Sequence, residues 1–85
     1  ADADNASIHL NLGAAYKALG EFEQAEAHYR TAIACNPNHV GAYNNLGIVL
    51  KALERNEEAE QAYLQAIAID EKYLPAYKNL GLLYK

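Results

Sequence analysis

The sequence predicts an all-α protein, an α-solenoid of five helices arranged as about two and a half helix–turn–helix repeats. Three observations carry this. First, the chain repeats itself every 34 residues: Asn11, Asn45 and Asn79 keep that interval, as do Gly13, Gly47 and Gly81, and Lys17, Lys51 and Lys85. Residues 6–39 laid on 40–73 without a gap agree at 13 of 34 positions, and 74–85 laid on 40–51 agree at 6 of 12. A fixed period of that size marks a repeat architecture. Second, apolar residues recur at intervals of three and four, the spacing of one helix face. Third, turn-forming residues fall between these faces at corresponding places in each period.

The first helix carries Ile8, Leu12, Ala15 and Leu19, with Asp4 or Asn5 expected as its cap. "LGEF" at 19–22 breaks it, because Gly20 is free to turn left-handed. The second helix carries Phe22, Ala25, Tyr29, Ala32 and Ile33 and ends at "NPNH", 36–39, since proline disfavours helical geometry in the residue before it. The third carries Ala42, Leu46, Val49 and Leu53; the fourth carries Ala59, Tyr63, Ala66 and Ile67 and ends at "DEKYLP", 70–75. A fifth carries Ala76, Leu80 and Leu83. Each is expected to run roughly 12–15 residues, and the short links between them suit antiparallel neighbours.

Composition narrows the class. Of 85 residues, 52% are hydrophobic, which excludes a disordered chain. A compact domain this short would bury a thin core, whereas stacked repeats cover one another. No apolar run approaches the ~20 residues that span a bilayer, and no signal-peptide pattern is visible, so no membrane role is expected. The single Cys35 excludes an internal disulfide and fits a reducing, cytoplasmic setting. A net charge of −4 argues against nucleic acid as a partner. Methionine is absent even at position 1, as expected of a piece of a longer chain.

These residues resemble the tetratricopeptide repeat family, whose unit is a helix–turn–helix of period 34. The first repeat, 6–39, reads His9-x-x-Leu12-Gly13-x-x-Tyr16, then Ala25-x-x-x-Tyr29, then Pro37. The second, 40–73, reads Tyr43-x-x-Leu46-Gly47-x-x-Leu50, then Ala59-x-x-x-Tyr63. Residues 74–85 form the first helix of a third, Tyr77-x-x-Leu80-Gly81-x-x-Tyr84, and 1–5 a lead-in. The chain departs from the pattern at three places. His9 replaces the usual large aromatic; "ERNEEA" at 54–59 lacks the glycine that "GEFEQA" keeps at 20–25; Glu71 replaces the closing proline. The last two lower the rigidity expected of the second repeat's turns. The resemblance implies a right-handed superhelix whose first helices line a concave surface. It also implies close helix packing at Gly13, Gly47 and Gly81, since glycine costs about 1 kcal/mol inside a helix relative to alanine.

The unpacked face of the first helices carries the functional expectation. At 100° per residue, Ala14, Ile48 and Leu82 centre an arc with Asn11, Asn45 and Asn79 to one side and Lys17, Lys51 and Lys85 to the other. Leu12, Tyr16 and Leu19 are expected on the packed half. Three rows along a groove follow: amides, apolar residues and ammonium groups, with Asn44 and Lys78 beside them. An amide both donates and accepts, so a row of them can hold the backbone of an extended peptide. The lysines complement the dipole at the helix ends or favour an acidic or phosphorylated partner. Similar asparagine ladders line the tetratricopeptide superhelix of the O-linked N-acetylglucosamine transferase. The chaperone-type carboxylate clamp is matched only in part: Leu10 and Ala14 stand where it needs Lys and Asn, and Pro75 and Asn79 do not supply its third-repeat basic pair.

The expected function is therefore a protein-interaction module, not an enzyme, that binds a peptide in this groove. A substrate-recruiting part of a larger enzyme, such as a glycosyltransferase, and a structural repeat that self-assembles are the alternatives. Leu80, Leu83 and Tyr84 on the last helix predict pairing with another copy. No cofactor or metal is expected: His28 and Cys35 share a helix face two turns apart, and two separated ligands make no zinc site. His9 is expected to fill an aromatic packing slot. "NAS" at 5–7 fits a glycosylation sequon, but helix capping accounts for Asn5.

Overall fold

The structure, a computed structural model, describes residues 2–84. Among them lie five helices and no strands: α1 (Asp2–Ala18), α2 (Phe22–Cys35), α3 (Val40–Ala52), α4 (Asn56–Ile69) and α5 (Leu74–Leu83). They pack in sequence, α1 on α2, α2 on α3, α3 on α4 and α4 on α5. A further contact joins α3 to α5 across the repeat, so these two first helices lie side by side. The body is 38 × 28 × 16 Å, its thinnest direction about two helix layers deep at ~8–10 Å between axes.

The centre is built from the small and aromatic residues of the repeat. Ala25, Tyr29, Leu46, Val49, Leu50, Ala59, Ala62 and Tyr63 form one buried cluster, with Tyr16, Phe22, Leu80 and Leu83 packed around it. The two tyrosine rings lie over glycines of the preceding helix. A Cβ on Gly13 would meet the Tyr29 ring at 2.7 Å, and one on Gly47 would meet the Tyr63 ring at 2.5 Å. The third position differs from expectation: nothing lies within 4 Å of a Cβ on Gly81, because no helix brings an aromatic ring over that turn of α5.

The turns close by local bonds. Gly20 takes φ 79°, with Gly20 N–H donating to Lys17 and Glu21 N–H to Tyr16, the paired bonds of a Schellman cap. Glu54 adopts the same left-handed geometry at φ 63°, with Glu54 N–H donating to Lys51 and Arg55 N–H to Leu50. The missing glycine therefore leaves the turn's form unchanged. The missing proline leaves the side-chain bond of that turn in place. Asp70 Oδ1 accepts from Lys72 N–H at 3.1 Å, as Asn36 Oδ1 accepts from Asn38 N–H at 3.3 Å in the first repeat. Such side-chain turns hold the backbone without fixing φ.

Three further expectations are corrected. Helix α1 begins at Asp2, so Asp4 and Asn5 lie within it rather than at its cap position; on α3 the His39 side chain caps, its Nδ1 accepting from Ala42 N–H at 3.1 Å. Leu12 and Leu19 are not packed: they are 40% and 73% exposed, whereas Leu46, the repeat equivalent of Leu12, is buried. The cause is position in the stack, since α3 rests on the preceding α2 and α1 rests substantially on α2 alone. The helices run from 10 to 17 residues, a wider range than expected.

Candidate functional site

The wall formed by α1, α3 and α5 carries the residues picked out by the repeat. Each sits there because the helices are in register: α3 starts at Val40 and α5 at Leu74, one period apart. Along this wall Asn11 is exposed, while Asn45 and Asn79 are half-buried. Ala14 is exposed, Ile48 half-buried and Leu82 45% exposed. Lys17 is half-buried in the last turn of α1; Lys51, in the last turn of α3, and Lys78 are exposed. Lys85 lies outside the described residues.

The structure gathers part of this set into one cleft. Asn44, Ile48, Leu74, Pro75, Lys78 and Asn79 line a hollow of about 450 Å³ between α3 and α5. Asn11, Ala14, Lys17, Asn45, Lys51 and Leu82 lie on the same helices but do not line it. The hollow has an apolar floor from Ile48, Leu74 and Pro75, with an ammonium group and two amides contributed by Lys78, Asn79 and Asn44. The amides are not independent. Asn79 Nδ2 donates to Asn44 Oδ1 at 3.0 Å, and Asn44 is only 6% exposed. Asn44 thus acts as a support, orienting Asn79 and leaving its carbonyl oxygen with acceptor capacity.

This pairing was not foreseen from the sequence, although a signal was present. Asn44 and Asn79 are 35 apart, one more than the period, so the bond links successive first helices one position out of register. One repeat earlier, the residue at the Asn44 position is Leu10, which has no side-chain carbonyl to offer Asn45. Leu74 and Pro75 were also missed as floor residues, because at the first turn of α5 they read as turn and helix start.

Ionic contacts collect away from this cleft, between α2 and the start of α4. Glu26 accepts from Arg30 at 2.9 Å and from Arg55 at 2.6 Å, and Glu58 meets Arg55 as well. Partial burial pushes the Glu26 carboxyl up, but the hydrogen bonds from Arg55 and Arg30 outweigh it and hold the group below its usual range. A second hollow of about 360 Å³ lies beside this network over Leu46 and Leu50. Among the described residues no group of three or more His, Cys, Asp or Glu could hold a metal, and no helix is long and apolar enough to cross a membrane.

The sequence profile described as "Tetratricopeptide repeat" matches residues 4–72. The chain belongs to the tetratricopeptide repeat family. Solved structures share its fold. The first repeat domain of Spaghetti (RPAP3), bound to the HSP90 peptide SRMEEVD, is 26% identical with a TM-score of 0.89, covering 93% of this chain and 63% of that one. The crystal structure of MamA is 32% identical with a TM-score of 0.90, covering 93% of this chain and 46% of that one. The tetratricopeptide domain of Arabidopsis OM64 superposes at 0.95 over 98% of this chain and 69% of that one; at 24% identity it speaks for the fold alone. The chain therefore spans less than two thirds of the RPAP3 domain and under half of MamA. No curated protein sequence matches it.

Proposed function

We propose that this tetratricopeptide chain is a non-catalytic binding module that takes an extended, acidic peptide segment along the wall of α1, α3 and α5. The observation that carries the reading is the cleft between α3 and α5. Its apolar floor suits one aliphatic side chain of the ligand. Asn79, held by Asn44, offers its carbonyl oxygen to a peptide N–H, and Lys78 suits a carboxylate or phosphate on the ligand. Asn11 and Asn45 extend the polar contact along the wall, and Lys17 and Lys51 extend the positive charge. That a related domain binds SRMEEVD, a peptide with three acidic residues, supports both the ligand class and the charge preference.

The test uses that peptide as a probe, by fluorescence anisotropy at low and physiological salt. The wild type should bind, with affinity falling as salt rises, because exposed pairs are screened over ~8–10 Å. Asn79→Ala together with Lys78→Ala should weaken binding at least tenfold while helicity is retained. Binding left unchanged by the double substitution would place the ligand elsewhere. Absence of binding to this probe and to its phosphorylated or alanine-scanned forms would remove the acidic-peptide reading.

A further inference from the structure

His9 on α1 and His28 on α2 bring their Nδ1 atoms to 3.0 Å, and both rings are half-buried. The ring planes are 26° apart and the ring centres 5.3 Å apart. By those two values alone the pair would count as a stack, but the nitrogen separation shows otherwise. The distance between centres is accounted for by the nitrogen–nitrogen distance plus the two ring radii. The nitrogens therefore face each other along the line of centres, and the rings meet edge to edge. Opposed nitrogens sharing a metal stand about 4 Å apart, two bonds of about 2 Å; at 3.0 Å the two lone pairs need a proton between them. Tyr16 stacks on His28 from the α1 side, centres 5.4 Å apart and planes 7° apart, and holds that ring in place.

The proton inventory follows from the ring chemistry. With both rings neutral, one carries its proton on Nδ1 and donates to the bare Nδ1 of the other, whose proton is on Nε2. A first added proton goes to the bare Nε2 of the donor ring, which leaves the bond intact and makes it charge-assisted. A second added proton has one lone pair left, the Nδ1 that accepts the bond. Adding it replaces N–H···N with two opposed N–H groups on two cations. The unfolded chain faces no such conflict, so it takes up more protons than the folded one at acid pH, and stability falls as pH falls.

We propose that the His9–His28 pair is a proton-sensitive clasp between α1 and α2, closed with zero or one added proton and opened by the second. A carboxylate near the pair favours the cations and so works against opening, whereas the facing nitrogens favour it. In helical register with His9, α1 carries Tyr16. On α2, Glu21 and Cys35 lie seven residues either side of His28, a separation of two turns. Helix α3, packed on α2, brings Tyr43 beside Arg30 in the second hollow. Helix α1 carries Asn11, Ala14 and Lys17, so opening the clasp would disturb one end of the wall, but the proton chemistry is independent of what binds there.

The test is a double-mutant cycle of His9→Phe and His28→Phe, read by urea denaturation from pH 8 to pH 5. Phenylalanine keeps a ring at each site and removes the proton. The coupling between the two positions should stabilise the fold about threefold to tenfold at pH 8, one ordinary hydrogen bond, and should vanish or reverse by pH 5. A coupling that is the same at both pH values would mean that the rings only pack. As an independent readout, long-range proton–nitrogen spectra at pH 8 should show one ring protonated on Nδ1 and the other on Nε2. Two rings both protonated on Nε2 alone would overturn the proposal.

Discussion

Gly13, Gly47 and Gly81 each follow Asn-Leu and precede a lysine by four residues, yet the structure covers only the first two. A methyl group on Gly47 would drive into the Tyr63 ring, so Gly47→Ala should destabilise the fold by about 1–3 kcal/mol, overpacking outweighing the better helix former. On Gly81 the same change meets open space and should stabilise by about 0.5–1 kcal/mol. Urea midpoints of the two variants, one moving down and the other up, check both claims together. Tyr29 presents the opposite case. Its ring fills the space over Gly13, but its hydroxyl is buried with no hydrogen-bond partner, and burial pushes its ionisation above the usual tyrosine range. Removing an unsatisfied buried hydroxyl recovers desolvation of about 1–3 kcal/mol, less any loss of packing. Tyr29→Phe should therefore be neutral or stabilising by about 1 kcal/mol, and a clear drop in thermal midpoint would show that the hydroxyl is bonded after all. The glycine positions were legible as a period. What covers each was not, because identical letters cannot report whether a neighbouring helix is there.

At the scale of elements, the helices and their order were legible because each apolar face keeps its 3.6-residue spacing and each turn falls at the same place in the period. The boundaries were less so. Helix α1 runs past Asp4 and Asn5 because nothing in residues 2–5 forbids helix, and a residue able to cap is not compelled to. The turns show how different sequences reach one geometry. Glu54 holds a left-handed conformation that costs a residue with a Cβ about 1–2 kcal/mol, and Gly20 occupies the equivalent position without that cost. Glu54→Gly should raise stability by about 0.5–1 kcal/mol after glycine's greater freedom in the unfolded chain is deducted. In the other turn, Asp70→Ala should cost about 0.5–1.5 kcal/mol by removing the bond to Lys72 N–H, whereas Asp70→Asn should be tolerated, as Asn36 shows. Chemical denaturation of the three variants gives the order.

At the scale of the molecule, the helical wheel predicts three rows on the first helices, but it does not reveal the cleft. The cleft lies between α3 and α5, where a side-chain bond one residue off the repeat period ties the buried Asn44 to Asn79. The charge distribution carries its own prediction. Glu26 is 14% exposed and sits between Arg30 and Arg55, joining the two repeats. Its carboxyl is held below the usual range, so its contribution is present near neutrality and is lost as pH falls through that lowered value. Glu26→Gln should cost about 0.5–1 kcal/mol at pH 7 and low salt, discounted for its half-exposed partners, and less at high salt. Wild type and variant should converge only once pH has fallen past that lowered value, beneath the ordinary carboxylate range. A gap that persists there would assign the effect to packing.

The neighbour-to-neighbour order of packing has a kinetic consequence. Every substantial helix contact joins elements adjacent in the chain, apart from the single contact between α3 and α5. Little loop must close before contacts form, so the chain should fold in microseconds to milliseconds, as helical proteins of local topology do. Unravelling should begin at the outer helices, α1 with its exposed leucines and α5 with its uncovered glycine, because each can leave without disturbing the far side. Amide hydrogens should accordingly exchange slowest around Tyr29, Val49, Leu50 and Tyr63 and fastest toward both ends. Uniform protection across all five helices would instead show that the stack opens as one unit.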